Sequence, residues 1–135
     1  MNLKEFIAEN KEFDERTFGK FVRQRREELG KTVRGFAAEL GITPAYLSDI
    51  EKGNRAAPKK FFQQIRIALG VPEDMMTEFE DLASASRGFQ YEDITPYLGK
   101  RPLARVALRK ARDMDISDEQ WEEIIKAIDS SNDKP

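Results

Sequence analysis

The sequence contains no cysteine and no histidine. Without cysteine there can be no disulfide, no thiolate metal site and no thiol nucleophile. Without histidine the commonest general base, the commonest metal ligand and the usual pH switch are missing as well. No apolar run approaches the roughly 20 residues that span a bilayer, and the opening MNLKEFIAEN lacks the pattern of a signal peptide. Alternating β-branched segments are also absent, so no stretch is a candidate strand. Catalysis would have to rest on carboxylates, Ser, Lys or Tyr, and no paired constellation of these stands out. Asp113, Asp115 and Ser117 start like a calcium loop, but Asp118 stands where that loop needs glycine and Ile124 where it needs glutamate. The expectation is a soluble, cytoplasmic, non-enzymatic protein with no cofactor, no metal and no membrane partner.

What the sequence does have is segregated charge. Residues 1–15 carry two Lys and five acids, net −3. Residues 16–70 carry five Lys, seven Arg and five acids, net +7, whereas residues 71–135 carry nine bases and fifteen acids, net −6. A basic block between acidic ones points to an electrostatic site in the middle of the chain, and local field rather than net charge steers phosphates.

Helical periodicity runs through most of the chain, punctuated by Gly and Pro. In TFGKFVRQRREEL, Phe18, Val22 and Leu29 form one stripe, with Arg23, Arg25 and Arg26 mostly off it and Gly30 at the end. Those arginines fit either a solvated face or phosphate contact. Thr32 is a candidate N-cap for VRGFAAEL, and Thr43 with Pro44 opens PAYLSDIEK, which stops at Gly53. Pro58 is expected to open a fourth helix with Lys59 and Lys60 in its first turn, and Pro72 a fifth. SRGFQYEDITPY reads as linker; a helix begins at Pro102, and Ser117 begins a capping box for a last one.

The short turn Leu40-Gly41-Ile42-Thr43 separates two helices too short to stand alone. Gly41 can take the left-handed conformation that ends the first, and so tight a corner is that of a helix-turn-helix. Small Ala37 lets the two helices approach, while Leu47 and Ile50 point into a core shared with Phe36. The outer face of the second helix then carries Pro44, Ala45, Ser48, Asp49 and Lys52, small or polar groups that suit a major groove.

TVRGFAAELGITPAYLSDIEKGNR resembles the helix-turn-helix of the lambda repressor/Cro-like (Xre) transcription regulators. The resemblance runs through Thr32, Phe36-Ala37, Leu40 to Thr43, Tyr46 to Ser48 and Ile50 to Arg55, within a segment of about residues 16–70. It implies an all-α fold, a five-helix lambda-repressor-like DNA-binding domain, followed here by a C-terminal helical hairpin. It implies double-stranded DNA as partner, with Thr43, Pro44, Ala45, Tyr46, Ser48 and Asp49 facing bases or nearby phosphates, and Lys52, Asn54 and Arg55 gripping backbone. Val33 departs from the family's usual glutamine, whose amide touches a phosphate, so that contact is absent or falls to Arg34. Three residues keep a second reading: Tyr46 fits packing as well as phosphate contact, Asp49 fits an ion pair with Lys52, and Arg55 fits a solvated loop charge as well as a phosphate anchor.

The expected organisation is an N-terminal helical extension (1–15), the DNA-binding domain (16–83), a linker (84–101), a dimerisation or partner region (102–129) and a disordered tail (130–135). Leu103 and Val106 on one helix, with Trp121, Ile124, Ile125 and Ile128 on the next, form an apolar stripe that two short helices cannot bury alone. A homodimer on a palindromic operator, repressing by occlusion, accounts for that stripe. The alternative is an antitoxin or partner-controlled autoregulator whose acidic C-terminal half binds a toxin or protease.

Overall fold

The computed structural model describes residues 2–132 of the chain. Described residues form helices α1 (Leu3–Glu9), α2 (Thr17–Glu28), α3 (Val33–Leu40), α4 (Pro44–Glu51) and α5 (Phe62–Ala68), a 3₁₀ turn at Glu73–Met75, then α6 (Met76–Ser86), α7 (Thr95–Lys100), α8 (Pro102–Met114) and α9 (Asp118–Asn132), with no strand among them. The all-α class is therefore as the sequence indicates. No helix among these residues is long and apolar enough to cross a membrane.

The chain divides after Tyr91 into two units. In the first, α4 packs against both α2 and α3, and α6 against α2. The core is aromatic: Phe79 of α6 stacks on Phe62 at 4.9 Å and meets Phe18 at 5.5 Å and Phe21 at 6.1 Å, while Phe6 of α1 sits edge-on to Phe21 at 5.1 Å. Such pairs add to the stabilisation from area burial alone. Leu3 and Phe6 are as buried as the central helices, so the expected N-terminal extension is part of the core.

Several boundaries differ from the sequence reading. Only the 3₁₀ turn follows Pro72, and α6 starts at Met76. The fourth helix starts at Phe62, so Lys59 and Lys60 lie in the turn ahead of it. The stretch expected as linker from residue 84 begins inside α6, where Ser84 and Ala85 are buried. Left-handed Gly88 and Phe89 (φ 78° and 61°) come just after α6 ends. The rest of that stretch contains α7. Helix α9 continues through Asn132, past the expected start of a disordered tail, of which residues 133–135 lie outside the described residues.

The second unit has no buried side chain among its described residues. Arg105 donates to the carbonyls of Leu98 and Gly99 at 2.7 and 2.8 Å, which ties α8 to α7. Asp115, left-handed at φ 48°, closes α8. The capping box predicted at Ser117 is present: its N–H donates to Gln120 Oε1 at 2.8 Å, and the Gln120 N–H donates back to Ser117 Oγ at 3.2 Å.

Candidate nucleic-acid interface

The corner forms as the local chemistry requires. Thr32 Oγ1 accepts from the Gly35 N–H at 2.9 Å and starts α3. Gly41 ends it at φ 71°, ψ 29°, with the Ile42 N–H donating to the Ala37 carbonyl at 3.0 Å. Two residues later Thr43 Oγ1 accepts from the Tyr46 N–H at 3.1 Å, and Pro44 opens α4. Leu47 and Ile50 are fully buried with Phe36 and Ala37, so the remaining faces of α4 are turned outward.

What holds α4 against the domain is less visible in the sequence. Gly19 of α2 lies so close to α4 that a Cβ there would run into the Ile50 and Glu51 carbonyl oxygens. Two helical turns further along α2, Arg26 is buried and forms a bidentate pair with Glu51, 2.7 Å from Nε and 3.0 Å from Nη2, while its Nη1 donates to the Lys31 carbonyl at 2.8 Å. Hydrogen bonding to Glu51 raises the Arg26 pKa against an opposing desolvation cost. The residue is thus neither a solvated charge nor a free phosphate contact; it anchors the end of α4. Arg25 is also structural, donating to the Leu69 carbonyl at 2.9 Å, and Arg23 pairs with Glu27 at 3.0 Å.

Around α4, the expected contact residues come to the surface together. Thr43, Pro44, Ala45 and Lys52 are exposed, and Tyr46, Ser48 and Asp49 half-buried. Asp49 and Lys52 form no ion pair with each other among the described residues. Beyond the helix, the Asn54 N–H donates to the Asp49 carbonyl at 2.9 Å, and Gly53, at φ 77°, lets the chain double back. Arg55 then lies over the Tyr46 ring, its guanidinium carbon 4.4 Å from the ring centroid. Of α3's first turn, Val33 is packed against the core while Arg34 is exposed.

A polar groove of about 420 Å³ adjoins the end of α4, and Arg16, Lys20 and Arg23 of the α2 region share its walls with Lys52. Glu12 and Asp14 line it too, which moderates the positive field. The sequence reading missed Arg16 and Lys20; their spacing with Arg23, four then three residues apart, was the available signal.

A helix-turn-helix family model matches residues 22–75. No curated protein matches the chain. Among solved structures it is similar to a chain from a SinR protein/SinI protein complex, at 19% identity and a TM-score of 0.39, with 87% of this chain and 99% of that chain covered. The family match contains the whole corner, α4 and the loop to Arg55.

Proposed function

We propose that the chain, whose residues 22–75 match a helix-turn-helix family model, is a sequence-specific DNA-binding regulator of transcription of the Cro/C1 (Xre) type, acting as a homodimeric repressor in the cytoplasm. The observation that carries this reading is α4: braced from behind by buried Leu47, Ile50 and the Arg26–Glu51 pair, it turns a face of small and polar side chains outward. Thr43, Pro44, Ala45, Ser48 and Asp49 meet the major groove, and Arg34, Lys52, Asn54 and Arg55 the flanking phosphates. Pro44 and Ala45 offer apolar contact, for which thymine methyl groups are the natural partners. Repression by occluding a promoter requires no chemistry from the protein.

The dimer is assigned to the second unit. Leu103 is 83% exposed, Ile128 60% and Ile125 55%, and Val106 and Ile124 are exposed beside them, with half-buried Trp121. Helix α8 carries Arg105, Arg109, Lys110 and Arg112 against one acid; α9 carries Asp118, Glu119, Glu122, Glu123 and Asp129 against one base. A basic helix joined to an acidic one is complementary to a second copy of itself under twofold symmetry. The same apolar face would serve the antitoxin-like reading, in which a second polypeptide covers it; co-purification of such a polypeptide distinguishes the two.

Fluorescence titration of duplex DNA at several salt concentrations tests the reading. If each subunit neutralises about 3 phosphates, the affinity of the dimer falls with salt at a log–log slope of about −5. Affinity that ignores salt, or no binding to any duplex, would sink it.

A further inference from the structure

We propose that Tyr46 is a positioning residue: its ring is the platform that holds the Arg55 guanidinium flat, so that the edge of that group meets a backbone phosphate. The proposal rests on the DNA-binding reading and adds how one of its contacts is held.

The chain builds this stack from both sides. Tyr46 belongs to the first turn of α4, where its N–H is bound by Thr43 Oγ1, and its half-buried ring packs against the core cluster. Arg55 arrives from the other end. The Lys52 N–H donates to the Ser48 carbonyl at 3.0 Å, that of Gly53 to Ile50 at 3.1 Å and that of Asn54 to Asp49 at 2.9 Å, so the loop is rewound onto the helix it has just left. The outcome is a guanidinium 4.4 Å from the ring centroid, within the roughly 6 Å over which the ring's negative face attracts a cation.

A stacked guanidinium uses only its flat face; its N–H donors lie in the plane and point away from the ring. Arg55 is exposed and makes no ion pair with a carboxylate among the described residues, so that donor edge is available. A phosphate takes two such donors side by side. An arginine loose in a loop must surrender rotamer freedom to make that contact, whereas one already stacked has surrendered most of it in the free protein. This role also resolves the two readings of Tyr46: the ring packs, and it serves the phosphate contact through Arg55.

The experiment is a double-mutant cycle on the full chain, read by anisotropy of a fluorescein-labelled duplex of mixed sequence, about 30 base pairs long, at low salt. Arg55→Ala is expected to weaken binding about 10-fold. Tyr46→Leu is expected to weaken it about 4-fold alone and to have almost no effect in the Arg55→Ala background, while Tyr46→Phe, which keeps the ring face, stays within about 2-fold of wild type. Additive effects, or a loss in Tyr46→Phe equal to that in Tyr46→Leu, would overturn the proposal, the second outcome by assigning the contact to the hydroxyl. In case Tyr46→Leu fails to fold, the wild-type protein supplies an independent readout. Ring-current displacement of the Arg55 side-chain NMR signals, kept in Tyr46→Phe, is expected, and its absence overturns the stack. If wild type binds no duplex, the DNA-binding reading falls and takes this proposal with it. Wild-type binding with additive factors removes the proposal alone.

Discussion

At the residue scale, the Arg26–Glu51 pair does the most to place α4. Both side chains are nearly inaccessible, at 8% and 5% exposure, so removing one charge strands the other away from water. Glu51→Gln is therefore expected to destabilise the first unit by about 3 kcal/mol, measurable by urea titration. Replacing both partners, Arg26→Met with Glu51→Leu, should recover most of the loss, because no buried charge then remains. Asp14 illustrates the opposite regime, an exposed carboxylate. It accepts from the Arg16 N–H at 2.8 Å, and chiefly that bond lowers its pKa from the ordinary 3.8, with Thr17 Oγ1 and the Arg16 charge adding to it. Since folding lowers this pKa, its contribution is complete above the ordinary value and drains away as pH falls through the folded one. Thermal midpoints measured below pH 4 should thus converge for wild type and Asp14→Asn, and separate slightly in favour of wild type near neutrality.

At the scale of elements, two glycines in one domain answer to different demands. Gly41 needs its positive φ, yet nothing lies within 4 Å of where a Cβ would stand. Gly41→Ala should cost only the left-handed backbone penalty, about 1 kcal/mol. Gly19 has ordinary helical geometry, but a Cβ there collides with the backbone of α4. Backbone cannot swing aside as a side chain can, so Gly19→Ala should cost about 3 kcal/mol and move α4 as well. Chemical denaturation of the two variants checks the order; equal losses would mean that α2 and α4 are less closely apposed than described. The corner glycine is legible in the sequence, because it sits between two periodic segments. Gly19 is not, since a glycine inside a helical pattern carries no mark of what lies opposite.

For the whole molecule, the second unit raises the question of what covers its apolar face. If the proposed dimer forms through this face, Ile125→Asp with Ile128→Asp should leave the first unit folded while converting that dimer to a monomer in sedimentation equilibrium. DNA affinity should drop with it, since a twofold site is then read by one half at a time. A variant that stays dimeric would place the interface elsewhere. The organisation of the chain was only partly readable in advance. Residues 1–15 look like an acidic appendage by charge, yet Leu3 and Phe6 complete the aromatic core. Burial of two side chains outweighs a solvated acidic face that can remain outside.

The amino-acid sequence by itself determined the local events: the Thr32 and Thr43 caps, the left-handed turn at Gly41, the capping box at Ser117 and the outward residues of α4. Each depends on neighbours within about four positions, the range over which propensity and capping act. Only the tertiary structure decided that Arg26 would be buried against Glu51, that Gly19 would lie against α4, and that Arg55 would lie on Tyr46. Those contacts join residues beyond that range along the chain, and their partners are chosen by packing, to which periodicity is blind.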